Sequence, residues 1–242
     1  MTPDDLVPGS TGKFISFGDP SLSGSLVAFA GTSSNSEKGI YTTGINSMDQ
    51  LLSVAVDINT PVPDGTGNFA NFGRPSLYGD KVAFRGSDSN DLSGIYTGGI
   101  GEVLNVIADA NTPIPGGTGK FTNFGDPSLS GNWVAFYGFD SNNGGGIYVD
   151  REDVKHNPLL KVIGTSDVLD GKTITELSLG HEGLNYNKLA FLAHFSDGSS
   201  GIYKAEVATT KDQCKNDGHT KFNFKNQGQC IQFVGNHGQG GN

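Results

Sequence analysis

Two short motifs that recur at a fixed spacing are the sequence feature that most constrains the fold. Val-Ala-Phe begins at Val27, Val82 and Val134, and a fourth copy, Leu-Ala-Phe, begins at Leu189. Gly-Ile-Tyr follows every copy, beginning at Gly39, Gly94, Gly146 and Gly201. The copies lie 55, 52 and 55 residues apart. A period of this length is typical of chains built from repeated supersecondary units.

Each repeat is rich in turn residues as well as in apolar ones. Glycine accounts for 37 of the 242 residues, and Gly, Ser, Asn and Asp separate short β-branched and aromatic segments, which predicts strands. In the second repeat these are roughly residues 75–78, 81–86, 94–97 and 102–108. Four short strands per unit are typical of β-propeller blades. We therefore expect an all-β chain in which residues 1–210 form a β-propeller of four blades, each with four antiparallel strands.

A third recurring element precedes Val-Ala-Phe in the first three repeats. It reads Pro-Ser-Leu-x-Gly and begins at Pro20, Pro75 and Pro127. Together the three elements resemble the TolB-type propeller repeat of bacterial envelope and secreted proteins, over nearly all of residues 14–208. The chain lacks the Ser-Pro-Asp-Gly turn that is usual in that family, and it has fewer repeats than most members. The resemblance implies a fold but no particular function, because propellers serve in binding, scaffolding and catalysis alike.

The repeats are compatible with two arrangements of the blades. In one, four blades close into a ring, and residues 205–209 or the C-terminal segment complete the last blade. In the other, the chain is a segment of a longer repeat protein. We expect closure, because an open end would leave unpaired strand edges and an apolar blade face in contact with water.

The C-terminal segment, residues 211–242, differs in composition from the repeats and holds both cysteines, Cys214 and Cys230. Because neither has His or Cys neighbours at the spacing of a zinc site, the pair predicts one disulfide that staples a small tail. The segment resembles a short two-cysteine module at the C-termini of secreted bacterial proteins. A disulfide implies an oxidising compartment. We therefore expect a secreted or cell-surface protein, although the sequence as given begins without a signal peptide.

Alignment of the repeats places Asp19, Arg74, Asp126 and His181 at one equivalent position, just before the innermost strand. In a closed propeller these residues would form a ring of alternating acidic and basic groups at one mouth of the channel. Three roles remain open: mutual neutralisation that holds the blades in register, binding of an ion or small ligand, or glycan cleavage by Asp19 and Asp126 with help from Glu182 or His181. The cationic Arg74 disfavours a tightly bound divalent metal, so we predict neither a metal site nor a cofactor.

The recurring aromatic residues are expected to pack between blades, because they alternate along inner strands. Trp133 is the only tryptophan of the chain, and its equivalents in the other repeats are Leu26, Lys81 and Lys188. A residue found in one blade only is a better candidate for ligand contact than a repeated one. We therefore single out Trp133 as a possible ligand contact.

Composition narrows the class of function. The formal net charge is −9 and no basic cluster is present, which argues against nucleic acid and anionic membranes as partners, and no apolar run is long enough for membrane insertion as a helix. Motifs for a nucleophile or a phosphate loop are absent from the sequence. We predict a non-enzymatic binding or structural module with an extracellular glycan or protein ligand, and open blade edges would permit self-association. The alternative is an extracellular glycan-cleaving hydrolase or lyase with its site at the channel mouth.

Overall fold

A computed structural model describes residues 2–45, 51–142, 144–152, 159–222 and 226–235. Up to residue 206 the regular structure in these ranges is antiparallel β-sheet, arranged as four sheets in chain order. This architecture confirms the all-β class and the four-bladed propeller predicted from the repeats.

The first three sheets share one pattern, in which Val-Ala-Phe and Gly-Ile-Tyr lie on neighbouring central strands. The first blade contains β1 (Phe14–Phe17), β2 (Ser21–Ser23), β3 (Leu26–Ser33), β4 (Lys38–Gly44) and β5 (Ser53–Asp57). The second contains β6 (Phe69–Phe72), β7 (Ser76–Tyr78), β8 (Lys81–Asp88), β9 (Ser93–Gly99) and β10 (Asn105–Asp109). The third contains β11 (Asn123–Phe124), β12 (Ser128–Ser130), β13 (Trp133–Phe139), β14 (Gly145–Arg151) and β15 (Leu160–Gly164).

The innermost strand of these blades is split into two pieces, which the repeat pattern did not predict. In the first blade both β1 and β2 pair with β3, one with each half of it. Gly18, Asp19 and Pro20 separate the two pieces, and proline has no N–H to contribute to a sheet. The second pieces, β2, β7 and β12, contact one another in succession, so they line the axis of the propeller.

The fourth blade departs from this pattern at both edges. It consists of β16 (Val168–Leu169), β17 (Lys172–Asn185), β18 (Lys188–Phe195) and β19 (Ser200–Glu206). The innermost strand β17 is continuous, with a register irregularity between Leu179 and Leu184 where the other blades have their gap. In the part of the chain that the structure describes, no strand pairs with the outer edge of β19. The completion expected from residues 205–209 is therefore not formed, because Ala205 and Glu206 already belong to β19.

Successive blades pack face to back, and equivalent residues meet at all three interfaces. The preceding blade contributes a small alanine and an isoleucine. The following blade contributes three residues: a leucine, a second residue that is either valine or leucine, and a phenylalanine. The pairs are Ala28 and Ile40 with Leu77, Val82 and Phe84; Ala83 and Ile95 with Leu129, Val134 and Phe136; and Ala135 and Ile147 with Leu184, Leu189 and Phe191. Small residues on one face leave room for the large rings of the next, so the packing buries apolar area at each interface.

A buried serine adds a hydrogen bond to each interface. The Leu77 N–H donates to Ser21 Oγ over 2.9 Å, and the Leu129 N–H donates to Ser76 Oγ over 2.9 Å. At the third interface the Leu184 N–H donates to Ser128 Oγ over 3.1 Å. These bonds satisfy innermost-strand N–H groups that point away from their own sheet, which explains why the repeats carry Ser before Leu.

In each of the first three blades, a glycine on one strand leaves room for a phenylalanine ring. A Cβ atom on Gly86 would lie 2.6 Å from the ring of Phe69, and the first and third blades repeat this contact. The fourth blade has Ala193 and Ile174 at the two positions. Compared with the other blades, alanine replaces the smaller glycine and isoleucine replaces the larger phenylalanine. The two changes offset each other, which preserves the packed volume.

The first and fourth blades do not form the interface that closure requires, which corrects our expectation of a closed ring. Leu22 is 60% exposed, whereas Leu77, Leu129 and Leu184 are at most 5% exposed. Ile202 is 83% exposed, whereas its equivalents in the other blades are fully buried. No buried cluster of the described residues combines side chains from the two end blades. The propeller is an open arc with a seam between its ends.

The tail packs against the third and fourth blades. It contains two short 3-10 helices, Lys211–Cys214 and Gly218–Phe222, and one α-helix, α1 (Gln227–Gly235). Cys214 and Cys230 form the predicted disulfide. Phe233 and Val234 belong to the same buried cluster as Trp133 and Leu189, while residues 236–242 lie outside the described ranges. None of the described helices is long and apolar enough to cross a membrane.

Removal of one interface serine should cost measurable stability. In Ser76→Ala the buried Leu129 N–H loses its acceptor, and we expect the free energy of unfolding in urea to fall by about 1–3 kcal/mol. Ser23→Ala is the matched control, because it removes an equivalent bond, from the Gly79 N–H, at an exposed position. Water can replace that bond, so the control should cost less than about 0.5 kcal/mol. Equal losses in both variants would contradict a special contribution from the buried serine.

Trp133 should report the state of the disulfide. Its ring lies 6.3 Å from that of Phe233 on α1, and a loop of this length contributes about 3 kcal/mol when it is closed by a disulfide. Reduction should loosen α1, expose Trp133 and shift its fluorescence emission to longer wavelength, while the far-ultraviolet circular dichroism of the sheets persists. A Cys214→Ser, Cys230→Ser double variant should show the shifted emission without reductant. Loss of the sheet signal on reduction would mean that the bridge holds the propeller itself together.

Candidate functional site

The four residues of the predicted ring lie where the innermost strands are interrupted. Asp19, Arg74 and Asp126 occupy the gaps before β2, β7 and β12. His181 lies in the irregular part of β17 between Leu179 and Leu184. The interruption turns these residues away from sheet pairing, which frees their side chains for contacts near the axis.

The acidic residues of this group each contact an arginine. The Arg74 guanidinium donates to the Asp19 carboxylate, which joins the first and second blades. Asp126 is contacted instead by Arg85, whose Nε lies 3.3 Å from Asp126 Oδ1 and joins the second and third blades. All of these side chains are partly exposed, so each pair contributes on the order of 0–1 kcal/mol. The geometry suits charges that align neighbouring blades.

His181 is the most enclosed of the four. Its side chain is 14% exposed, and neither ring nitrogen has a hydrogen-bond partner within the described ranges. The Glu182 carboxylate lies close by, with its Oε1 3.6 Å from Nε2. Burial lowers the pKa of His181, Arg74 lowers it further, and Glu182, Asp126 and Asp19 oppose the shift. Because charges from all four blades act on this one imidazole, the four residues lie close enough to influence one another electrostatically.

A cavity of about 500 Å³ opens beside these residues. It lies between the third and fourth blades, and Arg74 reaches it from the second. Its lining combines two aromatic rings with acidic, basic and hydroxyl groups: Arg74, Asp126, Tyr137, Phe139, Thr165, Thr175, Glu176, Ser178 and His181, with Gly125, Leu177 and Leu179. Concave sites with an aromatic wall and a few polar groups are typical of small-molecule binding.

Sequence reasoning identified three of these lining residues and missed the rest. Arg74, Asp126 and His181 were expected at the channel mouth, whereas Tyr137, Phe139 and Glu176 were not singled out. Tyr137 and Phe139 stand on β13, and their rings lie 4.7 Å apart in an edge-to-face arrangement. The residues equivalent to Phe139 in the other repeats are Thr32, Ser87 and His194. This difference between repeats could have identified Phe139 as a candidate from the sequence.

Trp133 packs within the protein, which corrects its selection as a ligand contact. It is 5% exposed and lies between Phe233 of the tail and the guanidinium of Arg151, whose Cζ is 5.5 Å from the ring centroid. The residue is found in one blade because only the third blade receives the tail at this position. Within the described ranges, no three His, Cys, Asp or Glu side chains are grouped so that they could hold a metal ion.

At the opposite ends of the innermost strands, a second contact joins the second and fourth blades, which are not neighbours in the sequence. The hydroxyl groups of Tyr78, at the end of β7, and Tyr186, after β17, lie 3.0 Å apart. The Tyr186 ring crosses the turn of the third blade at Gly131, where a Cβ atom would lie 3.5 Å from the ring. The Tyr186 N–H donates to Ser130 Oγ over 2.9 Å. The second and fourth blades are therefore joined directly at this end of the axis.

The enclosure of His181 should make stability depend on pH with a defined sign. Its pKa in the folded protein lies below the ordinary 6.5, so the unfolded chain binds more protons in the interval between the two values. The free energy of unfolding should therefore fall as the pH drops below 6.5. We expect the stability difference between wild type and His181→Gln to move in favour of wild type from pH 5 to pH 7.5, as measured by urea unfolding. A difference that is flat or of opposite slope would contradict a buried neutral imidazole.

Comparison with known proteins places the chain in a family and supplies no activity. Curated proteins give no match. The β-propeller domain of the Trilobed protease from Pyrococcus furiosus, described as having an open velcro topology, is similar with TM-score 0.48 and 13% identity, over 81% of this chain and 59% of that chain. A putative TolB from Agrobacterium tumefaciens is similar with TM-score 0.42 and 14% identity, over 76% of this chain and 58% of that chain. A family model matches residues 3–209, and the chain therefore belongs to the Family of unknown function (DUF7453).

Proposed function

We propose that this protein is a secreted, non-enzymatic β-propeller module that binds an extracellular glycan in the cavity between its third and fourth blades. The cavity carries the proposal, because it joins the Tyr137 and Phe139 rings to acidic, basic and hydroxyl groups in one concave site. The faces of aromatic rings attract the C–H groups of a sugar ring. Carboxylates such as Glu176 accept hydrogen bonds from sugar hydroxyls, and Arg74 donates them.

The arrangement of the charged groups favours binding over cleavage. A glycan-cleaving pair needs one carboxylic acid to protonate the leaving oxygen and a second carboxylate to act as base or nucleophile. Asp19 and Asp126 each contact an arginine instead, as expected of charges that neutralise one another. We therefore assign them the alignment of the first three blades, and we assign ligand contact to Glu176, His181 and the aromatic pair.

The location outside the cell rests on the disulfide. Cys214 and Cys230 are both fully buried and bonded to each other, and the described residues include no free cysteine. Stable disulfides of this kind belong to oxidising compartments. An extracellular location also matches a glycan ligand, because polysaccharides are abundant at cell surfaces and in their surroundings.

Glu176→Gln should weaken glycan binding selectively. Glu176 is exposed at the cavity rim, so the isosteric change should leave the fold intact while it removes a charged acceptor. After a glycan array has supplied a ligand, we expect isothermal titration calorimetry to show about tenfold weaker binding, equivalent to about 1.4 kcal/mol. Glu206→Gln is the matched control on β19, outside the cavity, and should bind like wild type.

The binding experiment and an assay for cleavage products together decide between a glycan-binding module and a glycan-cleaving enzyme. Absence of binding to every glycan on the array, or equal binding by wild type and Glu176→Gln, would contradict the proposed site. New reducing ends or unsaturated products from a polysaccharide panel, lost in Asp126→Asn, would instead establish the glycan-cleaving enzyme. The enzyme alternative draws its support from His181, because an imidazole with two unpartnered nitrogens beside carboxylates could transfer protons.

A further inference from the structure

The residue after Gly-Ile-Tyr distinguishes the fourth blade from the others. It is Thr42 in the first blade, Thr97 in the second and Val149 in the third, and all three are buried at the interface with the following blade. In the fourth blade it is Lys204, which is exposed. Strand alternation places Lys204 on the same face of β19 as Ile202. A charged residue therefore stands at the position that is buried and uncharged in the other three blades.

The rest of this face retains the character of an interface. Ala190 and Ile202 occupy the positions of the alanine and isoleucine that receive the next blade elsewhere in the chain, and both are exposed. Ser200 is equivalent to Ser93, whose Oγ donates to Asn123 Oδ1 of the third blade over 3.1 Å. The fourth blade thus presents the receiving half of an interface that the chain forms three times.

The first blade presents the complementary half. Leu22 and Phe17 are exposed, and Leu22 occupies the position of the leucines that are buried against a preceding blade. Ser16, which is also exposed, is equivalent to Asn123 and so would face Ser200 of a preceding blade. The two end faces of the arc are therefore halves of the same interface, and they do not meet within the described residues.

We propose that these end faces are the complementary halves of an interface between copies of this chain, and that Lys204 prevents this interface from forming. The occupant of the fourth blade would be the first blade of a second copy, because its Leu22, Val27 and Phe29 repeat the set that docks on each preceding blade. Docking would bury the Lys204 ammonium among these apolar residues, which is strongly unfavourable. A contact of this head-to-tail kind propagates from copy to copy, so a single lysine prevents open-ended assembly.

Lys204→Thr introduces the residue found at this position in the first two blades. This change should allow the end faces of two chains to bind each other. Threonine is favourable in strands and Lys204 is exposed, so the variant should fold. In sedimentation velocity, we expect the weight-average mass of Lys204→Thr to rise to at least twice that of one chain as protein concentration increases. Wild type and Lys204→Arg should remain single chains, because arginine keeps the charge. Adding Leu22→Glu to Lys204→Thr should restore the single chain by placing a charge on the other half of the interface.

Three outcomes of these experiments would overturn the proposal. A wild type that assembles as readily as Lys204→Thr would show that the lysine does not control the surface, and a Lys204→Thr variant that stays a single chain would show that no surface is present. Cysteines at both ends, Leu22→Cys with Ile202→Cys in the Lys204→Thr background, identify the occupant. Bridges between chains support a second copy, and a bridge within one chain would mean that the ends close on each other instead.

Discussion

Packing of one blade on the back of the next is the interaction on which the rest of the molecule depends. Each interface requires small side chains such as Ala83 on one face and large ones such as Phe136 on the other, and a serine hydroxyl that accepts a hydrogen bond from the following innermost strand. The interface determines how the innermost strands converge, and therefore where their interruptions bring Asp19, Arg74, Asp126 and His181. The cavity beside them is the space left between the third and fourth blades, where the continuous β17 replaces a split strand.

An open arc is sustained because much of the apolar surface at its first end is buried within the blade itself. Phe14, Phe29 and Tyr41 contact one another edge to face or tilted, with ring centroids 4.9–5.9 Å apart, and all three are buried. Val7, from the connector before β1, packs on this cluster. At the other end, charged residues on β19 make the outer face compatible with water.

Much of the fold followed from the sequence, because the recurring motifs are the interface residues themselves. Val-Ala-Phe and Gly-Ile-Tyr mark the strands that pack between blades, so their period revealed the blade count and the two central strands of each. The split of the innermost strand was not predicted, since β6 precedes residues 75–78, the first strand expected in the second repeat. The cavity was predicted only in part, because Glu176 and Tyr137 belong to different blades. No local sequence pattern indicates that these two residues lie on the same cavity. Closure was misjudged because exposed Leu22 and Ile202 are the same residue types as their buried equivalents.

The contact between Tyr78 and Tyr186 has a mechanical consequence for such an arc. A ring closed on itself resists distortion at every interface, whereas an arc with a free seam can flex until its ends separate. The two hydroxyl groups join the second blade to the fourth and so act as a tie across the concave side. Bending that moved the second blade away from the fourth would have to break this hydrogen bond as well as strain the interfaces of the third blade. The pair of phenols therefore adds a resistance to bending that the contacts between neighbouring blades do not supply.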